Sequence, residues 1–442
     1  PFRGRLGPLM ASRRRLLRAF LPLVLLNVGA AYALASWNWC GRWEERAPVL
    51  RAEARAEGPL RAGVARVPLT PPYPVVVAGY PPPRPEAPRG EPAPQARAVV
   101  LAAGDIKVGL VSLELLLAPD ALVAAVRERV ADLGLHGVVV LATHAHSSFG
   151  GYDARLVAQL AGTGRFREES LEAVVAGADA ALREAAARLT DVTLEVGEAR
   201  EPGFVRSRSG GEAPEGTLRR ALLRGAEGPV AELLFFAAHP TLVPRKRALV
   251  DPDWPGRLSL LREEQGGVAR GGQGAGGNVG VASSEGEGVE RVGAFARALA
   301  GLADTAKPVV AEAPRLAFVR AEVALPRPDA SRLVPSFSRA AGDNFLCASS
   351  SREAEVGALV LGPLELLLLP GEPTVGAGAV LVERTGATGV LGLADGYVGY
   401  VELPERVTAG EGEARRQYFA PALLDRLGAG AELAARAAGF TR

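Results

Sequence analysis

The sequence is short of cysteine, lysine, histidine and methionine. Its two cysteines, Cys40 and Cys347, are too few for a disulfide framework or a four-cysteine structural zinc site. A single bridge between them is the most they can form. Lysine occurs only at Lys107, Lys246 and Lys307, so arginine carries the positive charge. Six arginines and no acid fall within residues 1–18, and a chain of net charge +2 carries −4 once those six are set aside. A mildly acidic body has no electrostatic footprint for nucleic acid, and no such partner is expected. The glycine run Gly271–Gly277 lacks the Lys-Ser/Thr of a phosphate-binding loop, which argues against a nucleotide site. No fixed period repeats. What is present is a 442-residue chain, 48% hydrophobic and 23% charged, which can build a large core and is not globally disordered.

The N-terminus reads as an address. The sole methionine, Met10, is read as the start of translation. Arg13, Arg14, Arg15 and Arg18 then precede an apolar run from Ala19 to Trp39. A basic flank before about 20 apolar residues is a membrane-insertion signal that keeps the N-terminus cytoplasmic and exports the body. Ala33-Leu34-Ala35 offers a cleavage site, whereas Trp37 and Trp39 suit the interface belt of a retained anchor. The expected organisation is a basic segment (1–18), a transmembrane anchor or signal (19–39), a helical or loose tether (40–61) and a catalytic body (62–442). The body lies outside the cytoplasm, anchored, or secreted if the signal is cut. Within the body, strand-like runs mix with helical periodicity, for instance at 137–143 and 168–189. The expected class is α/β, with mixed sheets flanked by helices in one body of one or two lobes. Residues 266–280 read as a glycine-rich loop.

Three apolar strands run directly into polar residues that can bind metal. Residues 138–143 lead to His144 and His146, residues 233–238 to His239, and residues 366–370 to Glu372. Ligands and catalytic groups in α/β sheets collect at the carboxyl ends of strands. Three of the four histidines sit at such ends; His136 precedes its strand. Two histidines and a carboxylate around an open position form a catalytic zinc arrangement, suited to amide or ester hydrolysis. A strand-end histidine that simply satisfies the core is the competing reading of each position.

Five segments in order resemble the neutral/alkaline non-lysosomal ceramidase family. They are residues 62–72 with 78–80 (AGY), residues 142–151 (ATHAHSSFGG), residues 236–239 (FAAH) with 253–256 (DWPG), residues 369–374 (LPGEPT), and residues 392–401 (GLADGYVGYV). The resemblance spans about residues 62–440, the family's catalytic domain; the family's C-terminal immunoglobulin-like domain has no counterpart in it. It implies a zinc ion held by His144, His239, Glu372 and Tyr400, with His146 beside it as a polar helper. It also implies an arginine in the pocket, Arg208 or Arg206. Tyr397 is expected to pack as a cross-strand aromatic. The sequence departs from the family pattern at the glycine-rich loop. Asn278 and Gly280 stand where the family has aspartate and serine, and Ser283 or Ser284 would replace that serine only through a shifted loop. Ser148-Phe149 replaces the motif's Gly-Pro.

The implied activity is zinc-dependent cleavage of an N-acyl amide in a ceramide-like lipid, with a membrane partner through the N-terminal helix. The missing serine motivates a second reading, a catalytically silent relative that binds lipid or an envelope partner. A hydrolase of envelope peptides or sugars is a third. The oligomeric state is left open.

Overall fold

The computed structural model describes residues 21–441, apart from 23, 35, 283 and 313. Two sheets pack face to face. The larger runs in the order Val268–Gln273, Gly228–Phe236, Thr217–Gly225, Thr190–Arg200, Leu60–Pro68, Gln95–Ala103, Ile106–Leu113, Gly137–Ala142, with Val309–Val310 alongside Thr190–Arg200. The smaller runs Val49–Glu57, Arg315–Ala324, Glu353–Leu361, Leu364–Leu368, Gly389–Leu391. Hairpin neighbours pair antiparallel. Gly137–Ala142 pairs parallel to Ile106–Leu113, and Gly389–Leu391 parallel to Leu364–Leu368. The expected mixed α/β architecture is what forms.

Between the sheets, Leu101, Leu110, Leu141 and Leu233 of one face meet Phe318, Leu359, Leu366 and Leu368 of the other. Helices cover the outer faces. Glu168–Ala187 lays Val174, Ala178, Ala181 and Leu182 on the strands around Gln95–Ala103. Leu423–Ala438 does the same for Arg315–Ala324 and Glu353–Leu361. Strands buried on both faces must be apolar throughout, which is why Gly137–Ala142 reads GVVVLA. Its first residue has to be glycine: a Cβ there would lie 2.2 Å from the Phe318 ring.

Two expectations are corrected. Residues 40–61 are not a tether. Val49–Glu57 is an antiparallel partner of Arg315–Ala324, and a two-residue turn leads into Leu60–Pro68. The Arg/Glu/Ala composition that reads as helical belongs to an edge strand whose polar side chains face solvent, with Ala54 turned inward. The glycine-rich loop begins as a strand, Val268–Gln273, whose small residues fit beside Gly228–Phe236. The anchor or signal expected over residues 19–39 falls partly outside the described residues. Residues 1–20 lie outside the described residues, and among the described residues no helix is long and apolar enough to cross a membrane. Residues 24–34 are helical, with Leu25, Leu26 and Val28 exposed. Cys40 and Cys347 form a disulfide. Beside it, Asn344 accepts from the Trp39 amide and donates to the Trp37 carbonyl.

Candidate metal centre

The three strand ends do converge. Gly137–Ala142 delivers His144, which is held at a φ of 67°. A non-glycine residue in that region is strained and persists only where its surroundings hold it. The Ala142 amide bonds to the Leu393 carbonyl, and Thr143 and Ala145 bond to Leu113 and Leu115. Gly228–Phe236 delivers His239, whose amide bonds to the Val279 carbonyl. Leu364–Leu368 turns through Pro370-Gly371 into Glu372, which lies in parallel register with Tyr400.

The tautomers follow from the network. His144 Nδ1 is 2.8 Å from the Leu116 carbonyl and His239 Nδ1 is 3.0 Å from the Val279 carbonyl. Carbonyls only accept, so both Nδ1 atoms are assigned as donors and both Nε2 atoms present lone pairs. Glu372 Oε2 faces those lone pairs at 3.0 Å and 3.2 Å. It is buried and has no hydrogen-bond partner among the described residues. Tyr397 donates to the other carboxylate oxygen, Oε1, at 2.7 Å. The Tyr400 hydroxyl lies 3.1 Å from His239 Nε2, and Arg208 donates to it at 3.3 Å. His146 Nε2 lies 3.1 Å from His144 Nε2, and its Nδ1 is buried without a partner.

Burial pushes His239 down to about 4. Burial, then the rings of His144 and His239, hold His146 well below the ordinary imidazole range. Burial acts to raise Glu372, but the rings of His144 and His239 outweigh it and keep the carboxyl well below its usual range. Burial, then the Glu372 carboxylate, raise the phenols of Tyr397 and Tyr400 well above theirs. Burial thus disfavours the charged forms of His146 and His239 beside the Glu372 carboxylate. A cation bound among these groups would complete the arrangement. Ligands about 2.1 Å from a tetrahedral zinc lie roughly 3.4 Å from one another, close to the separations found. His144, His146 and His239 also bring their ring nitrogens within 4.8 Å of one another, as a metal site requires. The residues therefore fit a metal ion.

The site opens into a cavity of about 340 Å³ whose walls include Leu117, Val157, Ala158 and Ala161. Arg208 lines it, while Arg206 is exposed on the strand Val205–Ser207, which separates the two candidates. Tyr397 does pack against the core, but it also donates its hydroxyl to Glu372 Oε1. A packing role follows from a bare Tyr-x-x-Tyr spacing because the spacing does not reveal the carboxylate between the two rings. Gly280 pairs with Arg206, and a Cβ there would lie 3.3 Å from the Arg208 stem, close enough that the arginine would have to shift by a few tenths of an ångström. Ser284 donates to the Arg291 carbonyl, away from the metal site, and Ser283 lies outside the described residues. Asn278 accepts from the Val375 amide and pins the loop to the helix Val375–Thr385. His136 accepts from the Lys107 amide, remote from the others.

Tyr80, in the 78–80 segment, is assigned no role by the sequence, and nothing in the sequence points to Tyr418, Arg416 or Glu413. The Tyr80 ring lies tilted beside His146 with centroids 5.2 Å apart, and Gly79 before it has no room for a Cβ, which would lie 2.6 Å from the His146 backbone. Tyr418 lines the cavity, Arg416 lies over the Tyr400 ring, and the buried Glu413 joins Arg208 to Arg416. All sit outside the strand-end pattern. Asp253, of the DWPG segment, accepts from the amides of Leu242 and Val243 and so fixes the loop that follows His239.

No protein-family model matches the sequence, and no curated protein matches it. Two solved structures share the fold. One is the neutral ceramidase from Pseudomonas aeruginosa, at 20% identity, a TM-score of 0.69, and coverage of 86% of this chain and 74% of that one. The other is a ceramidase complexed with C2, at 20% identity and a TM-score of 0.70, covering 87% and 76%. The chain has the neutral ceramidase fold.

Proposed function

We propose that the protein is a zinc-dependent amidohydrolase that cleaves the N-acyl bond of a ceramide-like lipid. The observation that carries this reading is the unpartnered Glu372 Oε2 facing two imidazole nitrogens at the floor of a partly apolar pocket. Likeness to neutral ceramidases supports the substrate class.

His144, His239, Glu372 and Tyr400 would hold the ion. When bound, zinc supplies a Lewis acid that polarises an acyl carbonyl and lowers the pKa of water to about 7. The chain's own groups do the rest. Tyr397 holds Glu372 in its rotamer by the bond to Oε1. Arg208, which donates to Tyr400, lines the pocket where an acyl oxygen gains charge. His146, kept neutral, lines the pocket beside His144 as a polar helper. The apolar wall excludes water from the acyl chain. Because glycine stands at position 280, the reading uses no serine nucleophile.

We place the body outside the cytoplasm, held at a membrane by its N-terminal segment. The Cys40–Cys347 disulfide belongs to an oxidising compartment, and the exposed apolar residues of 24–34 suit a lipid surface. The lost serine also favours a second reading, a lipid-binding relative without turnover. Zinc content and hydrolysis of a fluorescent N-acylsphingosine, on the protein and on Glu372→Ala, decide between them. One zinc per chain with turnover abolished in the variant supports the amidohydrolase. Zinc without product from any acyl amide supports the silent relative.

A further inference from the structure

The cavity wall presents three guanidinium groups, Arg155, Arg208 and Arg416, and one carboxylate, Glu372. The acids that offset the arginines stand behind them, buried. Arg155 is fully engaged, with both Asp153 oxygens and the Tyr397 carbonyl. Arg208 meets the Gly277 carbonyl, the Tyr400 hydroxyl and Glu413 through one Nη atom, and its Nε is buried without a partner among the described residues. Arg416 differs in being the more exposed of the two. Its hydrogen-bond partner among the described residues is Glu413, through one Nη atom. Glu413 is shared with Arg208, so one carboxylate serves two cations. The Arg416 side chain is 58% exposed, and its guanidinium lies 5.7 Å from the Tyr400 ring centroid. A guanidinium has five N–H donors in a fork that matches carboxylate or phosphate oxygens. Most of that fork is free at the pocket, next to the group that would hold the metal. Of the other charges nearby, Asp120 is turned to Ser351 and the Tyr397 amide, and Arg245, over the Tyr80 ring, adds a further cation.

We infer that the substrate carries an anionic group on its amine portion and that Arg416 binds it. The inference rests on the amidohydrolase reading. An acyl chain along the apolar wall is uncharged, so an anion that meets Arg416 belongs to the part released as the amine. The reaction balances as simple hydrolysis: water adds across the C–N bond, the acyl carbon takes the hydroxyl, and the nitrogen takes the proton. The substrate class is an N-acyl amino acid or an acylated amine bearing phosphate, rather than a neutral ceramide alone.

The test compares N-lauroylglycine with N-lauroylethanolamine, soluble amides of equal acyl length that differ in the anionic group. The wild-type protein should favour the glycine conjugate about tenfold in kcat/KM, chiefly through KM, as a charge-assisted contact gives. The preference should shrink with added salt, because the pair is exposed. Arg416→Gln should bring the ratio near one, whatever it does to the absolute rates, and Arg416→Lys should restore much of it. A wild-type ratio of one, or a ratio unchanged in Arg416→Gln, overturns the inference. If only vesicles containing phosphatidylglycerol stimulate the neutral amide, and only with Arg416 present, the anion belongs to the membrane and the inference fails. Calorimetric binding of the same two amphiphiles separates the two readings. A tenfold binding preference without turnover leaves Arg416 standing and sinks the amidohydrolase; turnover of the ethanolamide without preference does the reverse.

Discussion

Removing one hydroxyl tests whether the centre is built as described. Tyr397→Phe deletes the 2.7 Å bond to Glu372 Oε1 and keeps the ring. Hydrogen bonds to charged groups contribute about 1.5–3 kcal/mol. The bond is buried, and without it neither oxygen of Glu372 has a hydrogen-bond partner, so the upper half of that range applies. Part of the loss is felt by the ion, because a carboxylate free to rotate is a poorer ligand. Loss of such an outer partner typically weakens metal affinity 10- to 100-fold. We expect Tyr397→Phe to bind zinc 10- to 100-fold more weakly in competition with a chromophoric chelator. Turnover should fall in proportion at limiting zinc and recover in excess. Glu372→Gln serves as the reference, with binding lost outright. If Tyr397→Phe holds zinc as tightly as the wild type while Glu372→Gln does not, the Oε1 bond has no part in the site.

Three other outcomes follow from the geometry. Gly280→Ser, which restores the family's residue type, should lower activity rather than raise it, because its Cβ pushes the Arg208 stem from Tyr400; steady-state rates beside Gly280→Ala check this. Burial pushes Asp253 up to about 7 from its ordinary 3.8. A raised acid binds its proton more tightly when folded, so that contribution is full below about pH 4 and is lost as pH rises through about 7. The full loss is about 4 kcal/mol, of which urea midpoints at pH 5 and 8.5 should show about 3 kcal/mol in the wild type and none in Asp253→Asn. Replacing Cys40 and Cys347 by serine should cost about 2–4 kcal/mol, read as a lower Tm that no longer responds to reductant.

The strand ends were legible because burial on both faces leaves an unbroken apolar run, and polarity resumes only where the strand leaves the core. His144, His239 and Glu372 were each found by that change. Their partners were not, because Tyr397, Tyr418, Glu413 and Arg416 lie on short connections with no period of their own. The strand Val49–Glu57 was missed for the opposite reason. It lies at a sheet edge, exposes most of its side chains, and buries chiefly Ala54, so the alternation that identifies a strand is muted. The cysteines could not be paired from spacing, since 307 residues separate them and only the packing of the helix Arg339–Ser349 brings Cys347 to Cys40.

The Gly280 position ties these observations together. A pocket that keeps two histidines, a glutamate and a tyrosine in ligand array has not drifted freely, since each depends on a different strand end and a separate set of backbone bonds. Gly280 lies against the Arg208 stem, and Arg208 in turn bonds to Tyr400 and to the carboxylate that carries Arg416. The loop and the two guanidiniums are therefore coupled through one buried acid, Glu413, while Tyr397 stays on Glu372. Two cations that share one acid at the pocket suit a more acidic substrate.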